Sequence, residues 1–188
     1  MDGVMQSPGV PTEDTEGKFT QGGWTPGYWD DFIDQVMNQQ TSSPYDLLLG
    51  RKTYEIMGAY WQTSTVDGAD QLNRGHKYVV STSLKKLDWQ PATLIKSNVV
   101  EEIKKLKETD GPELQVHGSS NLIQTLLKND LVDEFRLKIF PVTIGAGKRL
   151  FGDGTIPAAF KLTESKTSPQ GVLIATYVPD GNIKFGSF

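Results

Sequence analysis

The sequence predicts an α/β fold: a mostly parallel central sheet with an antiparallel edge built from the C-terminal part. Three observations carry this. Short apolar runs closed by glycine or hydroxyl residues, such as Asp46-Leu47-Leu48-Leu49-Gly50 and Tyr78-Val79-Val80, read as strands buried on both faces. Segments with apolar residues at helical spacing alternate with them. Beyond Glu134 the helical pattern stops and only strands follow.

Residues 1–27 are rich in Gly, Pro, Thr, Asp and Glu and read as a loop with turns at Ser7-Pro8-Gly9 and Gly22-Gly23. Trp29, Phe32, Ile33, Val36 and Met37 then recur at helical spacing, which predicts a helix over 29–40, ended by Thr41-Ser42-Ser43-Pro44. The strand at 46–50 leads into a helix over 52–59. The polar stretch 61–75 reads as a loop. Tyr78-Val79-Val80 and Thr93-Leu94-Ile95 are the second and third strands. Asn98 and Glu101 have the spacing of a capping box and open a helix with Val99, Ile103 and Leu106 on one face. Leu114-Gln115-Val116 is the fourth strand, followed by a helix carrying Leu122, Ile123, Leu126 and Leu127. Alternation of Phe135, Leu137 and Ile139 predicts a strand with one apolar face. Phe160–Ser165 and Val172–Val178 read as a closing antiparallel hairpin, and Gly181-Asn182 as the start of a last short strand. There is no internal repeat and no dividing linker, so a single domain over 1–188 is expected.

Composition removes several functions. There is no cysteine, which excludes disulfides, thiolate catalysis and Cys-ligated metal. The two histidines, His76 and His117, do not make a His-rich metal site, so no metal is expected. Nineteen basic against twenty-three acidic residues give a net charge of −4, without the basic surface of a nucleic-acid binder. No apolar run spans a membrane and no signal peptide is visible. A cytoplasmic protein acting on a small molecule is the expectation.

Three junctions at strand carboxyl ends have the chemistry to hold phosphate. At Gly50-Arg51-Lys52-Thr53, a glycine lets a ligand approach the backbone, and free amides, two cations and a hydroxyl follow. Cations oppose the helix dipole at this position, so a helical benefit does not explain them. The same residues also read as a plain glycine turn before a solvated helix start. The second junction, His117-Gly118-Ser119-Ser120-Asn121-Leu122, offers amides and hydroxyls, and equally reads as an ordinary N-cap. The third, Ser81-Thr82-Ser83, suits a ribose or phosphate or simply begins a turn. Together they gain weight, because ligands of open α/β sheets bind outside the carboxyl ends of the strands. Neither GxGxxG nor GxxxxGK[ST] is present. No catalytic residue is identifiable. His117 reads better as a packed, hydrogen-bonding residue than as a base, and Asp30, Asp31 and Asp34 suit a helix start for structural reasons. Trp24, Tyr28, Trp29, Tyr60 and Trp61 are an aromatic excess that serves a core or a stacked flat ligand.

These segments, in this order, resemble the dihydrofolate reductase-like superfamily. They are most similar to the reductase domain of the bacterial bifunctional riboflavin-biosynthesis deaminase–reductase and its free-standing relatives. Met1–Gly9 resembles the stretch after the family's first strand, and Leu49–Glu55 its Gly-Arg-x-Thr helix start. Val80–Ser83 resembles the adenosine-side strand end, and Val116–Leu122 the pyrophosphate turn. Pro141–Phe151 resembles the loop of the riboflavin-type branch. The resemblance implies a three-layer fold with helices on both faces of the sheet, NADPH as cofactor, and hydride transfer to a pteridine- or pyrimidine-like or carbonyl substrate. By the same resemblance Val4, Met5 and Gln6 border the nicotinamide. Gly50, Arg51, Lys52 and Thr53 meet the phosphates, and Ser81, Thr82 and Ser83 the adenosine side. His117, Gly118, Ser119, Ser120, Asn121 and Leu122 line the pyrophosphate. Trp24, Asp31 and Trp61 are the substrate candidates, and a homodimer is expected.

Two departures from the family pattern set further expectations. Ser119 stands where the family often has the second of two glycines, which implies a narrower approach to the pyrophosphate. The family also places an apolar strand before the segment matched by Asp2-Gly3-Val4, where only Met1 stands here. The expectation is that Asn182–Phe188 or a partner chain fills that slot, or that the natural chain carries about 8–12 further residues, the length of one strand with a lead-in. The competing reading is a non-catalytic nucleotide-binding protein that keeps the pocket.

Overall fold

The structure of the protein, a computed structural model, describes residues 1–187. The chain divides into two compact units, one of Gln35–Thr125 and one of Met1–Asp34 with the chain from Leu126 onwards. Helix α1 (Asp31–Gln40) carries the first boundary and α5 (Ser120–Lys128) the second.

The unit of 35–125 is built on four parallel strands in the order β3-β2-β1-β4. These are β1 (Tyr45–Gly50), β2 (Lys77–Val80), β3 (Ala92–Ile95) and β4 (Glu113–Gln115). Leu47 to Gly50 pair with Lys77 to Val80, which brings the carboxyl ends of β1 and β2 level. Tyr45, Leu47 and Leu49 share one face of β1 and are buried with Tyr54, Leu72, Val79 and Trp89. Leu48, on the opposite face, is equally buried, as expected for a parallel strand covered on both sides. Helices α2 (Arg51–Trp61) and α4 (Val99–Glu108) follow β1 and β3, and α5 begins beyond β4.

Two local readings change here. The polar stretch 61–75 contains a short helix, α3 (Ala69–Arg74), because Ala69 and Leu72, three residues apart, bury one side of a single turn. Gly68 starts it at φ +84°, where a residue with a side chain is strained. The capping box at Asn98 does not form: Asn98 is itself left-handed at φ 50° and makes no side-chain cap bond. Asn tolerates that conformation, so the helix starts from backbone geometry rather than from a side-chain cap.

The other unit holds β5 (Phe135–Ile139), β6 (Phe160–Thr167) and β7 (Leu173–Pro179), antiparallel in the order β5-β7-β6. The expected C-terminal hairpin is present and gains β5 as a third strand, in a sheet separate from the parallel one. Residues 182–187 form no strand, so the expected filling of a vacant slot by Asn182–Phe188 does not occur; Phe188 lies outside the described residues. Each sheet pairs without an internal gap, with β3 and β4 at the edges of the parallel sheet and β5 and β6 at the edges of the antiparallel one. The segment resembling the nicotinamide stretch instead runs beside 148–150, with Met5 N donating to Lys148 O (2.8 Å) and Leu150 N to Gly3 O (2.9 Å). No described helix is long and apolar enough to cross a membrane.

Candidate functional site

The carboxyl ends of β1 and β4 bring two of the three junctions together. Gly50 closes β1 and is the N-cap of α2, with no side chain capping the helix. Its N–H donates to Ser119 Oγ at 2.7 Å. Ser119 Oγ in turn donates to Thr53 Oγ1 at 2.8 Å. A Cβ on Gly50 would stand 3.1 Å from that Oγ and 3.2 Å from Ser119 Cβ, so this close approach requires glycine.

The Gly118-Ser119 turn is built on two successive left-handed residues, at φ 93° and φ 72°. The sequence predicts that a side chain at 119 narrows the approach. The structure shows where the side chain goes: its hydroxyl is tied to Gly50 and Thr53. A left-handed serine costs on the order of 1 kcal/mol, and two hydrogen bonds offset a cost of that size.

Charge at the helix starts is one-sided. Neither α2 nor α5 has an acid in its first turn, although the helix dipole favours one there. By contrast α4, which follows β3, carries Glu101 and Glu102, and α1 carries Asp31 and Asp34. Arg51 and Lys52 are exposed at the start of α2. The Arg51 guanidinium lies on Glu55 at 2.9 Å, an exposed i,i+4 pair.

The third junction is more structural than its sequence suggests. Ser81 is buried, and its Oγ accepts the N–H groups of Ser83 (3.2 Å) and Leu84 (3.1 Å). It holds the turn that leaves Thr82 and Ser83 exposed. His117 is half-buried, its Nε2 2.7 Å from Gln115 Oε1 and its ring tilted against Tyr45, as its reading as a packed residue requires. Ser120 is half-buried, Asn121 exposed, and Leu122 turns into the interior.

In the other unit Val4 is buried and makes an isolated bridge with Arg149. Gln6 is buried, and its side chain is wholly engaged: Nε2 donates to Asp14 O (3.1 Å) and Glu16 O (3.0 Å), and Oε1 accepts Lys148 N (3.0 Å). Trp24 Nε1 donates to Gln6 O at 3.0 Å, and the Trp24 ring meets Phe140 edge-on. Asp31 is exposed on the first turn of α1, beside Asp30, whose Oδ1 accepts Ile33 N as a helix cap. Trp61, in the unit of 35–125, packs against the core around Trp89. Sequence reasoning missed Lys148, whose Nζ binds Asp14 (2.7 Å) and Glu16 (2.5 Å). No local signal reveals it, because the partners are more than 130 residues away. No group of acids and histidines among the described residues is arranged to hold a metal.

Four parallel strands with intervening helices, followed by an antiparallel three-stranded sheet, define the dihydrofolate reductase-like class. Within it, residues 2–174 match the RibD C-terminal domain family, and the chain belongs to that family. It is 32% identical over 152 residues to the uncharacterized protein YyaP of Bacillus subtilis (strain 168), covering 78% of this chain and 76% of that protein. YwjB of the same organism, also uncharacterized, is 27% identical over 126 residues, 67% of this chain and 69% of that one. Among solved structures, a putative riboflavin biosynthesis protein from Shewanella sp. PV-4 superposes with a TM-score of 0.61 at 23% identity, covering 82% of each chain. A pyrimidine reductase-like protein from Corynebacterium diphtheriae gives 0.56 at 13% identity, covering 84% and 85%. The diaminohydroxyphosphoribosylaminopyrimidine deaminase/5-amino-6-(5-phosphoribosylamino)uracil reductase of Thermotoga maritima gives 0.58 at 15% identity, over 84% of this chain and 51% of that one. At these identities the structures speak for the fold.

Proposed function

We propose that the protein is an NADPH-dependent reductase of a small pteridine- or pyrimidine-like heterocycle or carbonyl compound, working in the cytoplasm as a homodimer. One observation carries this reading: the helices that start at the carboxyl ends of β1 and β4 offer amides, hydroxyls and cations and no acid, whereas α4 starts with two acids. That donor set fits phosphate oxygens, which only accept. Membership of the RibD C-terminal domain family supports reduction as the chemistry, since structural relatives of the fold are named as reductases.

NADPH, when bound, supplies the hydride. The amides of Arg51, Lys52 and Thr53 and the Thr53 hydroxyl would hold the pyrophosphate, with Gly118 allowing close approach of the main chain. Arg51 and Lys52 would meet the 2′-phosphate. An exposed i,i+4 ion pair is worth roughly 0.3–0.5 kcal/mol, so Glu55 does not bind the guanidinium against a phosphate. Ser81 would present Thr82 and Ser83 to the adenosine side, while Asn121 and Ser120 would flank the pyrophosphate. Val4 and Met5 would border the nicotinamide, positioned by Gln6. Trp24, Asp31 and Trp61 are proposed on the substrate side.

Titration of the protein with NADPH, followed by quenching of tryptophan emission, tests the reading and is expected to saturate. Arg51→Ala is expected to weaken NADPH about tenfold, the size of one charge-assisted bond, and to leave NADH almost unchanged. Equal losses for the two cofactors would remove the 2′-phosphate assignment, and no quenching by either would remove the cofactor.

A further inference from the structure

We propose that Ser119 is a positioning residue that makes the Thr53 hydroxyl a dedicated donor toward a phosphate group at the start of α2; this rests on the cofactor reading above. The direction of the hydrogen-bond chain is set at its first link. A backbone N–H only donates, so at 2.7 Å from Gly50 N the Ser119 oxygen accepts. The remaining Ser119 hydrogen goes to Thr53 Oγ1 at 2.8 Å. Thr53 Oγ1 is thereby occupied as an acceptor, and its own hydrogen turns elsewhere. No hydrogen bond donated by this hydroxyl is found among the described residues. Thr53 is the third residue of α2, in the turn whose amides lack a side-chain cap.

Three features show that the arrangement is specific. Ser119 is held at φ 72°, directly after Gly118 at φ 93°, in a conformation that glycine takes without strain. Gly50 leaves the room that Ser119 fills, since a Cβ there would press on both atoms of the serine side chain. A chain of hydrogen bonds running one way polarises its members and strengthens the last donor. The group that completes it must accept a hydrogen bond, which suits a phosphoryl oxygen, an acceptor only, and excludes an ammonium. Ser119 itself is not assigned a contact with the ligand; it acts through Thr53.

The test is a double-mutant cycle on the whole protein, with Kd for NADPH read by tryptophan quenching. Ser119→Gly removes the hydroxyl and keeps the turn unstrained, so the variant folds even though Gly50 N–H loses its partner. It is expected to weaken NADPH about fivefold, and Thr53→Val about tenfold, as for loss of a hydrogen bond to a charged group. The pair Ser119→Gly with Thr53→Val is expected to bind no more weakly than Thr53→Val alone. A purely structural serine would lower affinity in both backgrounds. Losses that multiply in the double variant, or a glycine variant that binds as tightly as the parent, overturn the proposal while leaving the cofactor reading in place. Failure of the unmodified protein to bind NADPH overturns the cofactor reading and this proposal with it.

Discussion

Lys77 opens β2 with a relative exposure of 0%. Its ammonium donates to Asn73 O at 2.6 Å and stands 4.6 Å from the Trp89 ring centre. Trp89 is locked in turn by Asn73 Oδ1 and by the Tyr54 hydroxyl. Burial pushes the Lys77 pKa down to about 8, against a smaller upward pull from Asp46. The sign follows directly. Between about pH 8 and the ordinary lysine value the unfolded chain binds the extra proton, so stability rises with pH in that window. Below it the cost of burying the charge is fully present. From pH 7.5 to 9.5 the gain is expected to be on the order of 2 kcal/mol. Lys138, also pushed down to about 8 by burial and by Arg136, contributes with the same sign. Lys77→Met keeps Lys138 and removes only the first contribution. Thermal melts across this range should therefore show the parent gaining several degrees on the variant. A parent–variant difference that stays constant with pH would show that Lys77 keeps its proton in the fold across this window, as it does in the unfolded chain. The sequence hides this residue: the apolar run starts at Tyr78, and a lysine at a strand start reads as a solvated flank.

At the scale of elements, periodicity made the strands and long helices legible, because their signals repeat within a few residues. The three-residue spacing of Ala69 and Leu72 was too short a signal for α3. The N-terminal segment was legible only as a loop, since everything that holds it comes from the far end of the chain. Asp2 Oδ2 accepts Ile144 N and Gly145 N, and Gly145 N–H foremost holds its pKa below the usual carboxylate range. Gln6 joins three stretches through one amide, at Asp14, Glu16 and Lys148. Gln6→Ala leaves those main-chain groups without their partner. Part-buried groups recover some of the loss from water, so the expected cost is on the order of 3 kcal/mol. For a chain of this size each kcal/mol moves the melting temperature by roughly 2–4 °C. A fall of several degrees is therefore expected, and under the proposed cofactor reading the freeing of Val4 and Met5 should also weaken NADPH binding. If the variant melts with the parent, the segment is held by its other bonds, and Gln6 is not the element's fastening point.

For the whole molecule, the alternation of strands and helices announced the class, while the register that decides which surfaces are apolar is a product of long-range pairing. In the antiparallel sheet Phe135, Leu137 and Ile139 stand opposite Tyr177, Ala175 and Leu173, and Leu162 stands opposite Tyr177 on the other side. Strand alternation therefore puts all seven on one face. The opposite face carries Arg136, Lys138, Thr176, Lys161 and Lys166 among its residues. The apolar face is incompletely covered: Leu162 is 48% and Leu173 37% exposed. The β6 edge of the sheet is a poor site for a second chain, because β6 is bulged between Leu162 and Glu164 and bears Lys161 and Lys166. Association of two copies through the apolar face would bury Leu162 and Leu173, which fits the proposed homodimer and the preference of soluble homo-oligomers for two-fold pairing. Light scattering at micromolar concentration is expected to give twice the monomer mass. Leu162→Lys and Leu173→Glu each place a charge on the face without opening a cavity, since both side chains are already partly in water. Each is expected to shift the protein toward monomer and to change the melting temperature of the separated chain little. A parent protein that scatters as a monomer removes the homodimer. A parent that is dimeric, with both variants dimeric too, assigns the contact to another surface.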